Sequence, residues 1–340
     1  MKRLAHAKRL AQMYFHYLKG STRLPYLPVK LWVESTNACN LRCPMCPNAT
    51  APEGYRMGHM DLGLFAGLVD QIRGRVYHVN LHHRGEPLLH PELPRMIAML
   101  READIRSAIH TNATRLSPDK AEAIIRAGLD FISFSVDGYD KDSYEAIRRG
   151  AIFEKTLHNI RAFLQIKEKL HSATPYAALE FIDFSYQPEE LAQLETLAAD
   201  MDHPALDRVI IKKIHNWAGT TGDAADATLF SRCTFPWYAL VVFYNGRVCP
   251  CPQDFFGTLD MGGLTERALA DIWNGPELRE LRGRMALRDV KELAPCDSCD
   301  LLRRKTFLGV PANHMRAFLR DHILGIASRI RSGSKIKRVG

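Results

Sequence analysis

The sequence predicts an α/β fold, a partial (β/α)6 barrel built on a parallel sheet and followed by a small C-terminal domain. Three observations predict it. β-Rich runs alternate with amphipathic stretches across residues 31–212. The alternation stops at a small, polar stretch, AGTTGDAADA at 218–227, which reads as a linker or long loop. All eight cysteines fall in two short regions, one just after the first strand and one beyond that linker.

Residues 1–30 read as one amphipathic helix that carries Leu10, Met13, Tyr14, Tyr17 and Leu18 on one face and is ended by Gly20 and Pro25. The barrel follows at 31–225, with strands expected at 31–35, 76–81, 106–110, 131–135, 177–181 and 208–212. Helices are expected at 62–72, 91–103, 118–127, 152–170 and 188–199. The small domain spans 226–305. Its run at 238–244, followed by Asn245-Gly246, predicts a β-hairpin, because this dipeptide accepts the positive φ of a tight turn. Helices are expected there at 266–273 and 277–284. The last segment, 306–340, is a basic region with a helix at about 312–330 and a disordered lysine-rich tail.

Composition bounds the function. The 340 residues carry a net charge of +8, yet 1–30 hold seven Lys/Arg and no acid while 300–340 hold ten against Asp300 and Asp321, so the stretch between them is net acidic. That distribution argues against a nucleic-acid binder. No run of 18 or more uncharged apolar residues is present and no signal-peptide pattern opens the chain, which predicts a cytoplasmic protein. The basic ends leave room for peripheral contact with the inner face of the membrane through the 10–18 face. A disulfide scaffold would be odd in a chain of this length, whereas clustered sulfur ligands suit zinc or iron–sulfur.

Cys39, Cys43 and Cys46 offer three thiolates within eight residues, directly after the first strand. Such a triplet can bind three irons of a cubane and leave the fourth open to chelate a small molecule. Tetrahedral zinc, completed by His59, His82 or His83, is the alternative on the triplet alone. C-x3-C-x2-C at this place resembles the signature of the radical S-adenosylmethionine superfamily, with Met45 where the family usually has an aromatic residue. That resemblance implies a [4Fe–4S] cluster on Cys39, Cys43 and Cys46, with S-adenosylmethionine (SAM) on its open iron. Gly85-Glu86-Pro87 is similar to the family's glycine–glutamate motif, with Arg84 in place of the first glycine, and implies that Glu86 accepts from the cofactor amino group. Asn112, after the third strand, and Ser135 with Asp137, after the fourth, become candidates for ribose or carboxylate contacts. Each is weak alone: a turn former, a helix cap. Together they sit at the C-terminal strand ends, where barrel sites form.

Cys233, Cys251, Cys296 and Cys299 form C-x17-C-x44-C-x2-C, which can close around zinc or a fully ligated cubane. With Gly246 five positions before Cys251 and Ile272-Trp273-Asn274 before the CxxC pair, the region resembles the twitch domain, the shortened form of the SPASM module. The resemblance implies one auxiliary [4Fe–4S] cluster, hence two clusters in all, and leaves Cys249 unassigned. Cys249 either packs as a small hydrophobe or donates a hydrogen atom.

Twitch enzymes acting on aminocyclitols and aminoglycosides, one a dehydrogenase and one an epimerase, resemble the two outcomes open to a substrate radical. The spare thiol favours epimerisation of a sugar, aminocyclitol or phosphorylated glycoconjugate. Dehydrogenation through the auxiliary cluster and peptide modification are the alternatives. Candidate substrate contacts are His82, His83, Glu180, Asp183, Lys212, Lys213 and His215, with Glu180 and Lys213 taken as catalytic candidates. A flavodoxin- or ferredoxin-like protein is the expected electron donor.

Overall fold

The computed structural model describes residues 2–220, 231–303, 306–308, 310–311 and 336–339. Strands run as β1 (Lys30–Val33), β2 (His78–Asn80), β3 (Arg106–Thr111), β4 (Phe131–Ser135), β5 (Tyr176–Asp183), β6 (Arg208–Lys213), β7 (Ala239–Val242), β8 (Val248–Cys249), β9 (Thr306–Phe307), β10 (Val310–Pro311) and β11 (Ile336–Val339). Helices are α1 (Lys2–Lys19), α2 (Leu62–Ile72), α3 (Leu93–Glu102), α4 (Pro118–Ala127), α5 (Lys141–Ile147), α6 (Phe153–Lys169), α7 (Pro188–Asp200), α8 (Phe235–Tyr238), α9 (Leu269–Trp273) and α10 (Pro276–Leu287). The chain divides into two compact units. One comprises Met1–Leu31, His215–Val242 and Gly246–Ser332, the other Trp32–Ile214, Phe243–Asn245 and Gly333–Gly340.

In the second of these units the sheet runs in the order β11-β6-β5-β4-β3-β2-β1. The β2–β3, β3–β4, β4–β5 and β5–β6 pairs are all parallel. Parallel neighbours need a crossover, and α3, α4, α6 and α7 supply them, so the alternation legible in the sequence is the alternation of this fold. Phe134 of β4 meets Phe163 of α6 with ring centroids 5.2 Å apart. Side chains alternate along a strand, so Ser133 and Ser135 face away from that helix. Local chemistry sets the helix ends: the Asp61 carboxylate accepts from Leu64 N, the Ser117 hydroxyl from Lys120 N ahead of Pro118, and Gly128 closes α4 at φ 89°.

Two features of this unit depart from expectation. Helix α5 was not anticipated, although Asp140 and Ser143 form a capping box whose Asp-x-x-Ser pattern was there to read. The lysine-rich tail, expected to be disordered, contributes β11, which pairs parallel to β6 with Ile336 opposite Val209 and Val339 opposite Lys212. Ile336 and Val339 are β-branched, which suits an extended strand. The helix expected at 312–330 and the linker residues 221–227 lie outside the described residues.

In the other unit α1 buries Leu10, Met13 and Tyr17. The Tyr17 ring stands edge-on to Trp237 at 5.5 Å, its hydroxyl donates to Arg232 O at 2.9 Å, and the Tyr14 hydroxyl donates to Leu308 O at 3.2 Å. The face expected to reach a membrane is therefore largely covered by the protein's own core, and of its five residues only Leu18 is exposed. No helix among the described residues is long and apolar enough to cross a membrane. β7 and β8 form the expected antiparallel hairpin, Val242 opposite Val248, with Gly246 at φ 85°. The Ile272-Trp273-Asn274 segment is a clasp. Trp273 Nε1 donates to Tyr26 O, and the Asn274 amide pairs with both backbone groups of Leu24 at 2.9 Å. Buried Arg282 lies over the Trp273 ring at 4.3 Å and donates to Pro236 O and Thr22 O.

Candidate active site

The cysteine triplet occupies the loop after β1. Cys46 N donates to Cys43 O at 3.0 Å, a turn that draws the second and third thiols together, and Arg42 donates to Cys39 O and Leu41 O. Asn37 and Asn48 brace the loop from within: Asn37 exchanges hydrogen bonds with Arg56 O and Gly58 N, and Asn48 donates to Asn37 O and Arg84 O. Burial pushes all three thiols up, Cys39 to about 12, and the Leu41 amide, Arg148 and the Asn48 amide offset this at Cys39, Cys43 and Cys46 respectively. Cys43 and Cys46 also raise Cys39, and Cys43 raises Cys46, by repulsion of the ionised forms, a sign that the three share one site.

Beside the triplet, Gly85 packs so closely that a Cβ would collide with the carbonyl oxygens of Thr36 and Ala38. Only glycine fits there. Glu86 follows, and its carboxylate is engaged by the chain's own donors: Leu88 N at 3.0 Å, Thr111 Oγ1 at 2.6 Å and Asn112 N at 2.8 Å. It ties the loop after β2 to the end of β3. Burial raises its pKa against the pull of those three bonds. Asn112 sits beside the triplet, its amide 4.0 Å from Cys39 Sγ and 3.3 Å from Asn40 Oδ1. Ser135 ends β4. Asp137 is fully buried with both carboxylate oxygens occupied, Oδ1 by Ile182 N at 2.6 Å and Oδ2 by Arg148 Nη2, so it holds Arg148 in place. Arg148, which sequence reasoning missed, reaches within 3.9 Å of Cys43 Sγ. Burial opposes its charge, but Asp137 and Cys43 more than offset that and push its pKa upward. Its signal in the sequence was slight, one arginine in a polar Arg-Arg-Gly stretch.

Deeper along the strands, Glu180 of β5 gathers Ser133 of β4, Lys212 of β6 and His110 of β3. Burial disfavours the charged carboxylate, yet Lys212 and His110 hold it well below the usual carboxylate range. Glu180 is thus brought into a charged cluster, with Lys212 as its β6 partner. Lys213 lies at the end of β6 opposite Asp183, and its side chain is outside the described residues. Asp183 organises its own loop by accepting from Ser185 N and Tyr186 N. His82 accepts from His110 N at 3.2 Å. His83 stacks on Phe243 in a half-buried position. His215 belongs to the other unit, edge-on to Trp217 at 4.3 Å.

That other unit holds the second thiol group. Cys233 precedes α8, Cys251 follows β8, and Cys296 and Cys299 flank a single 3-10 turn closed by Cys299 N donating to Cys296 O at 3.2 Å. Burial raises Cys233 to about 12 and Cys251 and Cys296 well above the ordinary thiol value. In each case charge on neighbouring thiols of the set adds to the effect. Buried neutral thiols gathered in this way ionise only when a cation compensates them. Among the described residues no three His, Cys, Asp or Glu side chains converge on a single ion. Three thiols in one loop and four in the other unit are the all-sulfur donor sets that a cluster with one open iron and a fully ligated cluster would take. Cys249 lies in β8, fully buried, its Sγ directed at Cys251 O (3.4 Å) and Asp254 O (3.8 Å).

Comparison with known proteins bears on both thiol sites. Residues 33–172 match the radical SAM superfamily, and residues 233–300 match the SPASM iron–sulfur cluster-binding domain. The chain carries a radical SAM domain and a SPASM domain. It is similar to a tungsten-containing aldehyde ferredoxin oxidoreductase cofactor-modifying protein of Pyrococcus furiosus, 22% identical over 72% of this chain and 80% of that one. A PqqA peptide cyclase of Methylorubrum populi is 24% identical over 80% of this chain and 78% of its own length. Among solved structures, BtrN in complex with AdoMet and 2-DOIA shares the fold, with a TM-score of 0.57 and 20% identity over 84% of this chain and 98% of that one. Radical SAM/SPASM enzymes act on a substrate carbon through a 5′-deoxyadenosyl radical, and this chain is an enzyme of that kind.

Proposed function

We propose that the protein oxidises a carbon of a polar small molecule or a peptide, with one [4Fe–4S] cluster on Cys39, Cys43 and Cys46 and an auxiliary one on Cys233, Cys251, Cys296 and Cys299. The observation that carries oxidation over epimerisation is Cys249. A hydrogen-atom donor must present its sulfur to the substrate, whereas this thiol is buried in β8 and directed at backbone carbonyls. The similarity to a PqqA peptide cyclase supports a peptide as one of the two substrate classes. When bound, the first cluster and SAM supply the radical that takes a hydrogen atom from the substrate, and the auxiliary cluster supplies an acceptor for the electron left behind.

The chain's own residues prepare that chemistry. Gly85 and Glu86 fix the loop after β2 against the triplet loop, while Asn112 and Ser135 present amide and hydroxyl groups at strand ends where SAM would lie. Asp137 holds Arg148 beside Cys43, placing a positive charge where a reduced, more negative cluster is stabilised. A flavodoxin- or ferredoxin-like protein would deliver the electron. Among the described residues no built feature supports a phosphorylated glycoconjugate or a membrane surface.

Anaerobic reconstitution tests this reading. Wild-type protein should bind about eight irons, two cubanes, and on reduction convert SAM to methionine and 5′-deoxyadenosine. Replacing Cys39, Cys43 and Cys46 with alanine should halve the iron and abolish that conversion, while replacing Cys296 and Cys299 should halve the iron alone. Iron content unaffected by either set, or full-iron protein that leaves SAM intact, overturns it.

A further inference from the structure

We propose that Glu180 and Lys212 are a substrate-anchoring pair that takes a group with a hydrogen-bond donor and acceptor on neighbouring atoms and no negative charge, an amide or a vicinal amino alcohol. The inference rests on the enzymatic reading above and narrows its substrate class.

The observations lie in the strands that lead to Asn112 and end at Ser135. Three strands send a donor to one carboxylate oxygen: Ser133 Oγ of β4 at 3.1 Å, Lys212 Nζ of β6 at 2.6 Å and His110 Nδ1 of β3 at 3.5 Å all meet Glu180 Oε2. Among the described residues no donor reaches Oε1. Ser133 and Ser135 face away from α6, so the cluster occupies the face opposite that helix. On the alternate positions of β5, Leu179 and Phe181 are fully buried and apolar. Those side chains alternate to the opposite face, so Glu180 is withdrawn from water within its own charged cluster, where an ion pair holds strands together no better than apolar side chains would. A pair kept in that position has a use beyond stability.

Its geometry states the use. Lys212 keeps 39% of its side chain exposed, and an ammonium group has three protons of which Glu180 takes one. The second carboxylate oxygen and the remaining ammonium protons thus sit side by side as acceptor and donor. A primary carboxamide, which has an N–H and its C=O on one edge, offers them both, and an amino alcohol offers its amine and hydroxyl. An anion gains little, because the carboxylate at 2.6 Å already neutralises Lys212.

Saturation-transfer NMR on the anaerobically reconstituted holoenzyme tests the pair with three probes: N-acetylglycinamide, trans-2-aminocyclohexanol and glucose 6-phosphate. At least one of the first two should bind wild-type protein, with its Kd raised ten-fold or more in both Glu180→Gln and Lys212→Met, each confirmed as folded by thermal melting. If Glu180→Gln does not fold, Lys212→Met decides. Binding of the amide alone points to substrates that carry a primary carboxamide, such as an Asn or Gln side chain, and of the amino alcohol alone to aminocyclitols; either supports the proposal. It is overturned if neither binds, if binding survives the substitutions unchanged, or if glucose 6-phosphate binds best. Wild-type protein that forms no 5′-deoxyadenosine from SAM would refute the enzymatic reading separately and leave the probe result standing.

Discussion

Arg148 joins Asp137 to Cys43: one end of its guanidinium bonds the buried carboxylate and the other lies 3.9 Å from the sulfur. Two charges withdrawn from water depend on each other. Asp137→Ala should therefore cost about 3–5 kcal/mol of unfolding free energy, the usual penalty for stranding a buried charge. Urea denaturation with an unchanged m-value checks it.

A second buried pair calls for a double-mutant cycle. Arg84 grips Glu34 through Nε and Nη2 at 2.5 and 2.7 Å, and its guanidinium lies 3.9 Å from the Phe243 ring centroid. Arg84→Met and Glu34→Gln should each destabilise by about 3 kcal/mol or more, and the double variant by clearly less than their sum. Additive losses would show that the two residues act separately.

His83 gives the fold a pH dependence of defined sign. Burial, with help from Arg84, lowers its pKa from 6.5 to about 3. The unfolded chain binds a proton near 6.5 and the folded protein does not, so the contribution of neutral His83 is complete above 6.5 and is lost as pH falls towards 3. The loss amounts to at most about 5 kcal/mol. His83→Phe, which preserves an aromatic against Phe243, should flatten the stability profile over that window.

Cys249→Ala should leave iron content at the wild-type level and lower stability by about 1 kcal/mol, as expected for a small truncation in a packed site. Loss of iron would make Cys249, rather than Cys251, the ligand.

Gly85→Ala should destabilise by about 1–3 kcal/mol through overpacking against Thr36 and Ala38 and should also impair iron incorporation, since the same contact seats the triplet loop. Thermal melting and iron analysis read the two effects.

The barrel strands and helices were legible because their signal is local: α2 and α4 have the expected bounds, and Asp61 and Pro118 mark their starts. Cysteine spacing located both thiol groups by the same local means. What escaped was tertiary. Whether a carboxylate meets a cofactor or the chain's own amides depends on which loop folds over it, and nothing around Glu86 in the sequence announces Thr111 and Asn112. Arg148 and His110 gain their meaning from partners 11 and 70 positions away. The apolar face of α1 was legible, but the sequence left it open to a membrane surface, and only packing showed Tyr17 against Trp237 and Arg232.

Strand β11 has a practical consequence. Its backbone pairs with β6 from more than a hundred residues further along the chain, after the whole SPASM segment has intervened. A recombinant fragment that stopped near Ile214 would carry β6 as a bare edge, with a row of amides and carbonyls ready to recruit a second copy. Dissecting the enzyme into halves thus invites aggregation unless the distant strand travels with the sheet.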